Sequence, residues 1–168
     1  MKELILSLSL LFTTLSAFSQ NNAYYNFAIG ARAGSTKYTC GITAKTFVGD
    51  QSAIEAVVAP YKKGLSAAMF YEHHVSLFRK KEFQFYFGGG AHFTKNEEYQ
   101  NWTTLRTGTV SYLQVRKSAG FDAIVGIEYK FLSIPLAVSA DLRPLIDFSK
   151  NNTYSFGFDQ GLGIKLAF

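Results

Sequence analysis

The sequence predicts an all-β protein, an eight-stranded antiparallel up-and-down transmembrane β-barrel. In the last segment, 154–168, every even position is large and apolar except Gln160, and the odd positions are small or polar. Because side chains on a strand alternate between faces, this segment has one apolar face and one small, polar face. The chain is 48% hydrophobic and 16% aromatic. No apolar run reaches the roughly 18 residues that indicate a membrane-spanning helix.

The amino terminus has the layout of a secretory signal peptide. A short charged start precedes an apolar run over 4–15, and Ala17 and Ser19 supply the small residues that a signal peptidase reads. The apolar run is shorter than the roughly 20 residues of a spanning helix. We therefore predict a signal peptide at 1–19, cleaved after Ser19, and one barrel domain at 20–168.

Charge and cysteine content narrow the function classes. The net charge is +5, but the basic residues are dispersed over several turns, so we expect no nucleic-acid partner. The single Cys40 has no second cysteine for an internal disulfide. His92 has no partners at a metal-ligand spacing, so we predict no metal site and no cofactor.

Alternation and turn residues place the eight strands in order. The first strand is predicted to put Tyr25 and Ile29 on its apolar face and Arg32 on the other, and a turn at Gly34 follows. Each strand has roughly 10 residues, enough for a tilted strand to cross the hydrocarbon. The predicted strands are 24–33, 38–47, 52–60, 65–74, 83–94, 118–131, 134–145 and 154–168.

The even number of strands puts both termini on one side, which in such barrels is the periplasm. The connection over 95–117 is then extracellular, and it is the longest of all. Two of the three periplasmic connections are very short. This distribution matches the short inner turns and longer outer loops of outer-membrane barrels.

Periodicity alone does not say which face points inward, so a secreted lipocalin-like barrel that binds an apolar ligand is the soluble alternative. Three features favour the apolar set facing outward. The other set is Gly-rich, which suits a narrow lumen. Aromatic residues concentrate at strand ends, as they do in the girdles at membrane interfaces. The last strand ends in the aromatic Phe168.

The mature chain also resembles a known group. Residues 29–34 form a Gly-rich first strand, Tyr71-Glu72-His73 lies in the fourth, and Phe168 closes the last. Over 24–168 the chain resembles the small eight-stranded outer-membrane barrels of the OmpA/OmpX type. The resemblance implies insertion in an outer membrane, and the closing strand with Phe168 resembles those whose aromatic end is recognised by the outer-membrane assembly machinery. We also expect a monomer in contact with outer-membrane lipid and lipopolysaccharide. It implies no single activity.

The inward positions collect charges of both signs. Buried charges must pair, and the interior of an eight-stranded barrel is just filled by side chains. We therefore predict a salt-bridged polar core that plugs the lumen, with neither porin nor enzymatic activity. Its predicted members are Arg32, Lys45, Glu55, Glu72, Asp122, Glu128, Lys130, Asp141, Arg143, Asp159 and Lys165.

One enzymatic alternative rests on His74 and Ser76, with Glu72 available to orient the histidine. Small barrels that deacylate lipid A use a Ser-His-Glu set on the lipid-facing wall. In the predicted topology His74 and Ser76 lie at the periplasmic end of strand four, whereas lipid A lies in the outer leaflet. Interfacial turn residues are therefore the favoured interpretation, and the lipid A-modifying enzyme remains the alternative.

The remaining candidate surface is the connection over 95–117. Tyr99, Trp102, Leu105 and Tyr112 are residue types that often anchor protein interfaces. Residues 107–115 have strand character, so strands five and six are predicted to continue above the membrane as a hairpin. An extracellular protein partner on this segment and a solvated loop without a partner are both open interpretations.

Overall fold

The structure, a computed structural model, describes residues 25–35, 39–61, 64–78, 80–104, 108–149 and 153–168. The predicted signal peptide at 1–19 lies outside these ranges. Within the hairpin segments 97–104 and 108–116, the description is limited to the backbone. In the described ranges no helix is long and apolar enough to cross a membrane.

Eight antiparallel strands form a closed barrel in which each strand pairs with the next and β1 pairs with β8. The predicted eight-stranded up-and-down barrel is confirmed. The strands are β1 (Phe27–Gly34), β2 (Gly41–Phe47), β3 (Ser52–Tyr61), β4 (Gly64–Ser76), β5 (Phe83–Thr104), β6 (Gly108–Lys130), β7 (Leu136–Ser149) and β8 (Thr153–Ala167).

The pairing of β1 with β8 closes the barrel. One end of this seam lies where β1 begins and β8 ends. Their register runs from Ala28 opposite Ala167 to Gly34 opposite Gly161. Beyond it, the Phe168 amide donates to the Phe27 carbonyl at 2.7 Å. We call this the terminal end of the barrel, and the opposite end, from which β5 and β6 extend, the hairpin end.

The connection predicted over 95–117 is shorter in the structure, and the predicted continuation of strands five and six as a hairpin is confirmed. β5 and β6 pair without interruption from Lys95 opposite Lys117 to Thr104 opposite Gly108. The β-branched and aromatic residues between 108 and 116 favour extended backbone, which explains the extension. The connection that remains is 105–107.

The barrel wall has a polar inside and an apolar outside. On β8, Phe156 is 74% and Leu162 is 66% exposed on the outer wall, while Asp159 and Lys165 are buried inside. The same alternation holds on the other strands wherever the structure describes their side chains. A lipocalin-like barrel needs the reverse polarity, with an apolar interior, so the geometry contradicts the soluble alternative.

Tyr25 departs from the predicted alternation. It was placed on the outward apolar face with Ile29, yet it is 4% exposed and packs with Phe47 inside the barrel. The reason is that β1 begins only at Phe27 and the chain bends at Asn26, so strand alternation does not extend to Tyr25. The aromatic ring of Tyr25 therefore fills the lumen at the terminal end.

Two glycines on the inner face leave space for large side chains. A Cβ atom on Gly126 would lie 2.5 Å from the Tyr86 ring, closer than such contacts occur. A Cβ atom on Gly161 would meet the Arg32 guanidinium. The small inward residues are thus what allows Tyr86 and Arg32 to lie across the lumen.

Candidate functional site

The barrel interior holds a cluster of five charged residues, which we call the central cluster: Lys45, Lys165, Glu55, Glu72 and Glu128. The Lys45 Nζ atom lies 2.8 Å from Glu55, 2.8 Å from Glu72 and 3.2 Å from Glu128. The five residues come from β2, β3, β4, β6 and β8, and all are at most 4% exposed. One ammonium group therefore connects carboxylates on three other strands.

Lys165 supplies the second cation of the central cluster. Its Nζ atom lies 2.9 Å from Glu55 and 3.3 Å from Glu128, so each of these carboxylates contacts both lysines. Neutral groups complete their hydrogen bonding. The Thr43 hydroxyl donates to Glu55, and the Tyr25 hydroxyl donates to Glu128 Oε1 at 2.7 Å. Such pairing and hydrogen bonding are what permit charges to remain in a buried interior.

A second cluster joins the two strands of the closing seam and their neighbour β7. The Arg32 guanidinium, on β1, lies 2.5 Å from Asp141 and 2.9 Å from Asp159. Asp159 Oδ1 also accepts hydrogen bonds from the Ser35 amide, the Ser35 hydroxyl and the Thr39 hydroxyl. Since Asp159 belongs to β8, these bonds hold the start of the β1–β2 connection against β8.

A third cluster lies toward the hairpin end around His92. Its Nδ1 is 2.7 Å from Asp122 and its Nε2 is 2.8 Å from Asp147. Arg143 binds the other oxygen of Asp122 at 2.9 Å and lies over the Phe70 ring at 4.8 Å. Ionised carboxylates only accept hydrogen bonds, so the geometry fits an imidazolium that donates from both nitrogens.

His74 lies inside the barrel near the terminal end, which corrects both earlier interpretations of this residue. It is 2% exposed, its Nε2 is 3.1 Å from Glu72, and its Nδ1 is 3.0 Å from the Gln84 side-chain oxygen. The ring also stacks on Tyr86. His74 is therefore neither an interfacial turn residue nor a residue of the lipid-facing wall.

The Ser-His-Glu arrangement of the enzymatic alternative is not formed. Both ring nitrogens of His74 are occupied by Glu72 and Gln84, and Ser76 lies exposed at the end of β4. A serine nucleophile needs a free histidine nitrogen within hydrogen-bond reach. Among the described residues, no group of three or more His, Cys, Asp or Glu side chains could hold a metal ion.

The structure brings together the predicted lumen residues with one exception. Lys130 is half-buried at the end of β6 and lies at the mouth of the barrel, because β6 leaves the lumen there. The predicted lumen residues that lie in the three ion-pair clusters are Arg32, Lys45, Glu55, Glu72, Asp122, Glu128, Asp141, Arg143, Asp159 and Lys165.

Sequence reasoning missed several polar members of the interior. Tyr86 and His92 lie at even positions of β5, on the same face as the buried Gln84, but the sequence predicts no role for them. The signal for His74 was its even position on β4, in step with Glu72. Asp147 had no such signal, since it lies beyond the predicted strand 134–145, and for Tyr25 the alternation predicts the opposite face.

The structure describes no side chain of the candidate surface residues. Tyr99, Trp102 and Tyr112 belong to the backbone-only part of the hairpin, and Leu105 lies outside the described residues. What the structure gives is their position. Tyr99 pairs with Leu113 and Trp102 pairs with Val110, beyond the last β4–β5 pair at Gly64 and Asn96.

Comparison with solved structures identifies the architecture. The N-terminal β-barrel domain of OprF from Pseudomonas aeruginosa superposes with a TM-score of 0.53 at 14% identity, covering 84% of this chain and 96% of that domain. The fold is that of an OmpA-type barrel. No family model matches the sequence. No curated protein matches it either. The comparison with the OprF domain extends to the OmpA-type fold alone.

Proposed function

We propose that this chain is an integral outer-membrane β-barrel with a closed lumen and no catalytic activity, whose role is structural or mediates surface interactions. The observation that carries the proposal is the inside-out polarity. The outer wall is apolar, as hydrocarbon requires, and buried ion pairs fill the interior. Closure of the sheet satisfies the backbone groups that an open edge would expose to lipid.

The first test compares boiled and unboiled protein from membranes by electrophoresis in SDS. A folded membrane barrel resists SDS and changes mobility on heating. We expect a heat-dependent shift and recovery in the outer-membrane fraction. A protein that fractionates as soluble and shows no shift would contradict membrane insertion. Detection of the mature amino terminus at Gln20 in the same preparation would test the predicted cleavage after Ser19.

A closed lumen is supported by the side chains that cross it. Tyr86, Phe70, Lys45, Glu72 and Glu128 are among the largest fully buried side chains. Tyr25 and Phe47 pack together at the terminal end, with ring centres 5.1 Å apart. In planar bilayers we expect no appreciable single-channel conductance, with a diffusion porin as the positive control. Steady conductance from the purified protein would contradict the plug.

Two observations support the absence of catalytic activity. Both ring nitrogens of His74 are occupied, and in the predicted topology Ser76 lies at the periplasmic end of β4, on the side opposite the outer leaflet. Mass spectrometry of lipid A from cells with and without the protein tests it. We expect identical acylation in both. A change that disappears in Ser76→Ala would reinstate the lipid A-modifying enzyme.

The interaction role is supported by the protruding hairpin. Residues 97–104 pair with 108–115. The pairing of β4 with β5 ends at Asn96, and the pairing of β7 with β6 ends at Ser118. Along the described backbone, both outer edges of the hairpin therefore lack a neighbouring strand. An unpaired edge can add a strand from another protein.

The matching experiment joins Asn96 to Arg116 through a two-residue Asn-Gly turn, which removes 97–115 at a native strand pair. We expect the heat-dependent shift to remain and binding to extracellular proteins to be lost. A matched variant keeps the hairpin and replaces Tyr99, Trp102 and Tyr112 by serine. If binding survives in both variants, the hairpin is not the interaction surface.

A further inference from the structure

The outer wall carries a groove that crosses the barrel at a slant. Its volume is about 620 Å³, within the range of small-molecule sites. One row of its lining follows the strand register from Phe85 through Ile127, Ala140 and Leu162 to Ala33. This row starts beside the β4–β5 turn at the terminal end and finishes at the β1–β2 connection at the hairpin end.

Small residues create the depression. Ala140 lies between Ile127 and Leu162 in the row, and the strand positions between the lining residues include Gly126 and Gly161. These glycines face the lumen, where they leave space for Tyr86 and Arg32. The same backbone positions thus form the groove floor on the outside, between walls of larger apolar side chains.

The hairpin end of the groove is polar. Gln160 is the exception in the apolar outward set of β8, and its side chain is exposed beside Leu142. Its backbone carbonyl accepts from the Ser35 amide, but among the described residues no hydrogen bond involves its side-chain amide. An amide without a partner in hydrocarbon is costly, and polar groups at such positions tend to mark binding sites.

We propose that this groove binds one acyl chain of lipid A, with the polar attachment of that chain at Gln160. The inference rests on the proposed function, because the parity of the barrel places the Gln160 end in the outer leaflet. Lipid A carries amide-linked and hydroxylated acyl chains, which complement a side-chain amide that both donates and accepts. The apolar remainder of the chain lies along the row toward Phe85.

The energetics single out Gln160 as the deciding residue. Between lipid and an apolar wall there is no hydrophobic driving force, so retention depends on close packing and on hydrogen bonds. Groove shape contributes the packing, and Gln160 contributes the hydrogen bond. One hydrogen bond of ordinary strength changes binding by roughly fivefold.

The test is native mass spectrometry of the full-length barrel released from outer membranes in mild detergent, with bound lipid identified by mass. Ala140→Phe fills the groove from its middle. Gln160→Leu removes the polar end. Ala56→Phe is the matched control, since Ala56 also faces outward, on β3, away from the groove.

We expect one lipid A per wild-type barrel. Ala140→Phe should reduce this complex about tenfold and Gln160→Leu about fivefold, which corresponds to one or two ordinary contacts, while Ala56→Phe leaves it unchanged. Equal retention in all four proteins would overturn the inference. So would retention of phospholipid instead of lipid A, or a dimer that Ala140→Phe abolishes, because the occupant would then be different.

A second measurement does not depend on extraction. Photoreactive benzoylphenylalanine in place of Ala33 should cross-link lipid A in intact outer membranes, and the same residue in place of Ala56 should do so at a several-fold lower yield. Equal yields would also overturn the inference. The heat-dependent shift is recorded on every preparation. Absence of the shift in the wild type would contradict membrane insertion. A normal shift together with lipid binding that the groove variants leave unchanged would contradict only the lipid site.

Discussion

Replacing Lys45 by methionine should destabilise the barrel more than any other single change in the central cluster. Lys45 contacts three carboxylates, whereas Lys165 contacts two. Methionine keeps most of the volume of the side chain but removes its charge. Among the described residues, Glu72 would then retain only the His74 ring nitrogen, at 3.1 Å, as its hydrogen-bond partner, in a position with no solvent exposure.

The magnitude follows from the cost of an uncompensated buried charge. Removing one partner of a buried ion pair costs about 3–5 kcal/mol. With a urea dependence of about 2 kcal/mol per molar, a loss of about 4 kcal/mol lowers the unfolding midpoint by about 2 M. The matched surface change, Lys80→Met in the exposed β4–β5 turn, should shift the midpoint by less than about 0.3 M.

The assay refolds each variant into lipid vesicles and follows the SDS-resistant fraction against urea. A double variant, Lys45→Met with Glu72→Gln, removes one carboxylate charge together with the cation. We expect it to recover at least part of the lost stability. A midpoint shift below about 0.5 M in Lys45→Met, or a further loss in the double variant, would refute the idea that charge pairing governs this site.

Three further changes test other parts of the interior. Gly161→Ala places a methyl group against a guanidinium and should cost about 1–3 kcal/mol in the same urea assay, whereas Gly49→Ala, with open space around it, should be neutral. Tyr25→Phe leaves Glu128 without its 2.7 Å hydrogen bond and should lower the free energy of unfolding by about 1–3 kcal/mol. Phe168→Ser should slow the appearance of the heat-shifted form in cells, and an unchanged time course would remove Phe168 as an assembly signal.

The sequence was sufficient for the architecture because an apolar outer wall and a polar interior impose the same period-two pattern on every strand. The alternation in 154–168 gave the faces of β8 correctly, and the same pattern placed Glu55, Asp122 and Arg143 inside. Where the alternation ended, prediction failed. The bend at Asn26 turns Tyr25 into the lumen, and a pattern with period two contains no information about a bend.

The ion-pair partners were not predictable from the pattern. Lys45 and Glu128 are far apart in sequence and meet only because eight registers, taken together, bring β2 and β6 to face each other. A single shifted register would change every partner across the lumen. The sequence around His92 was tested only for metal-ligand spacing, and that spacing does not predict its carboxylate partners on β6 and β7.

The central cluster also determines when the barrel becomes stable during assembly. Its members come from five strands, including β2 near the start of the chain and β8 at its end. Before β8 pairs with β1, Lys165 does not yet contact its carboxylate partners, so those carboxylates lack part of their counter-charge. A partly built wall is therefore unfavourable in lipid. Insertion and closure are expected to occur as one cooperative event, in which Lys165 on β8 completes the charge pairing of Glu55 on β3 and Glu128 on β6.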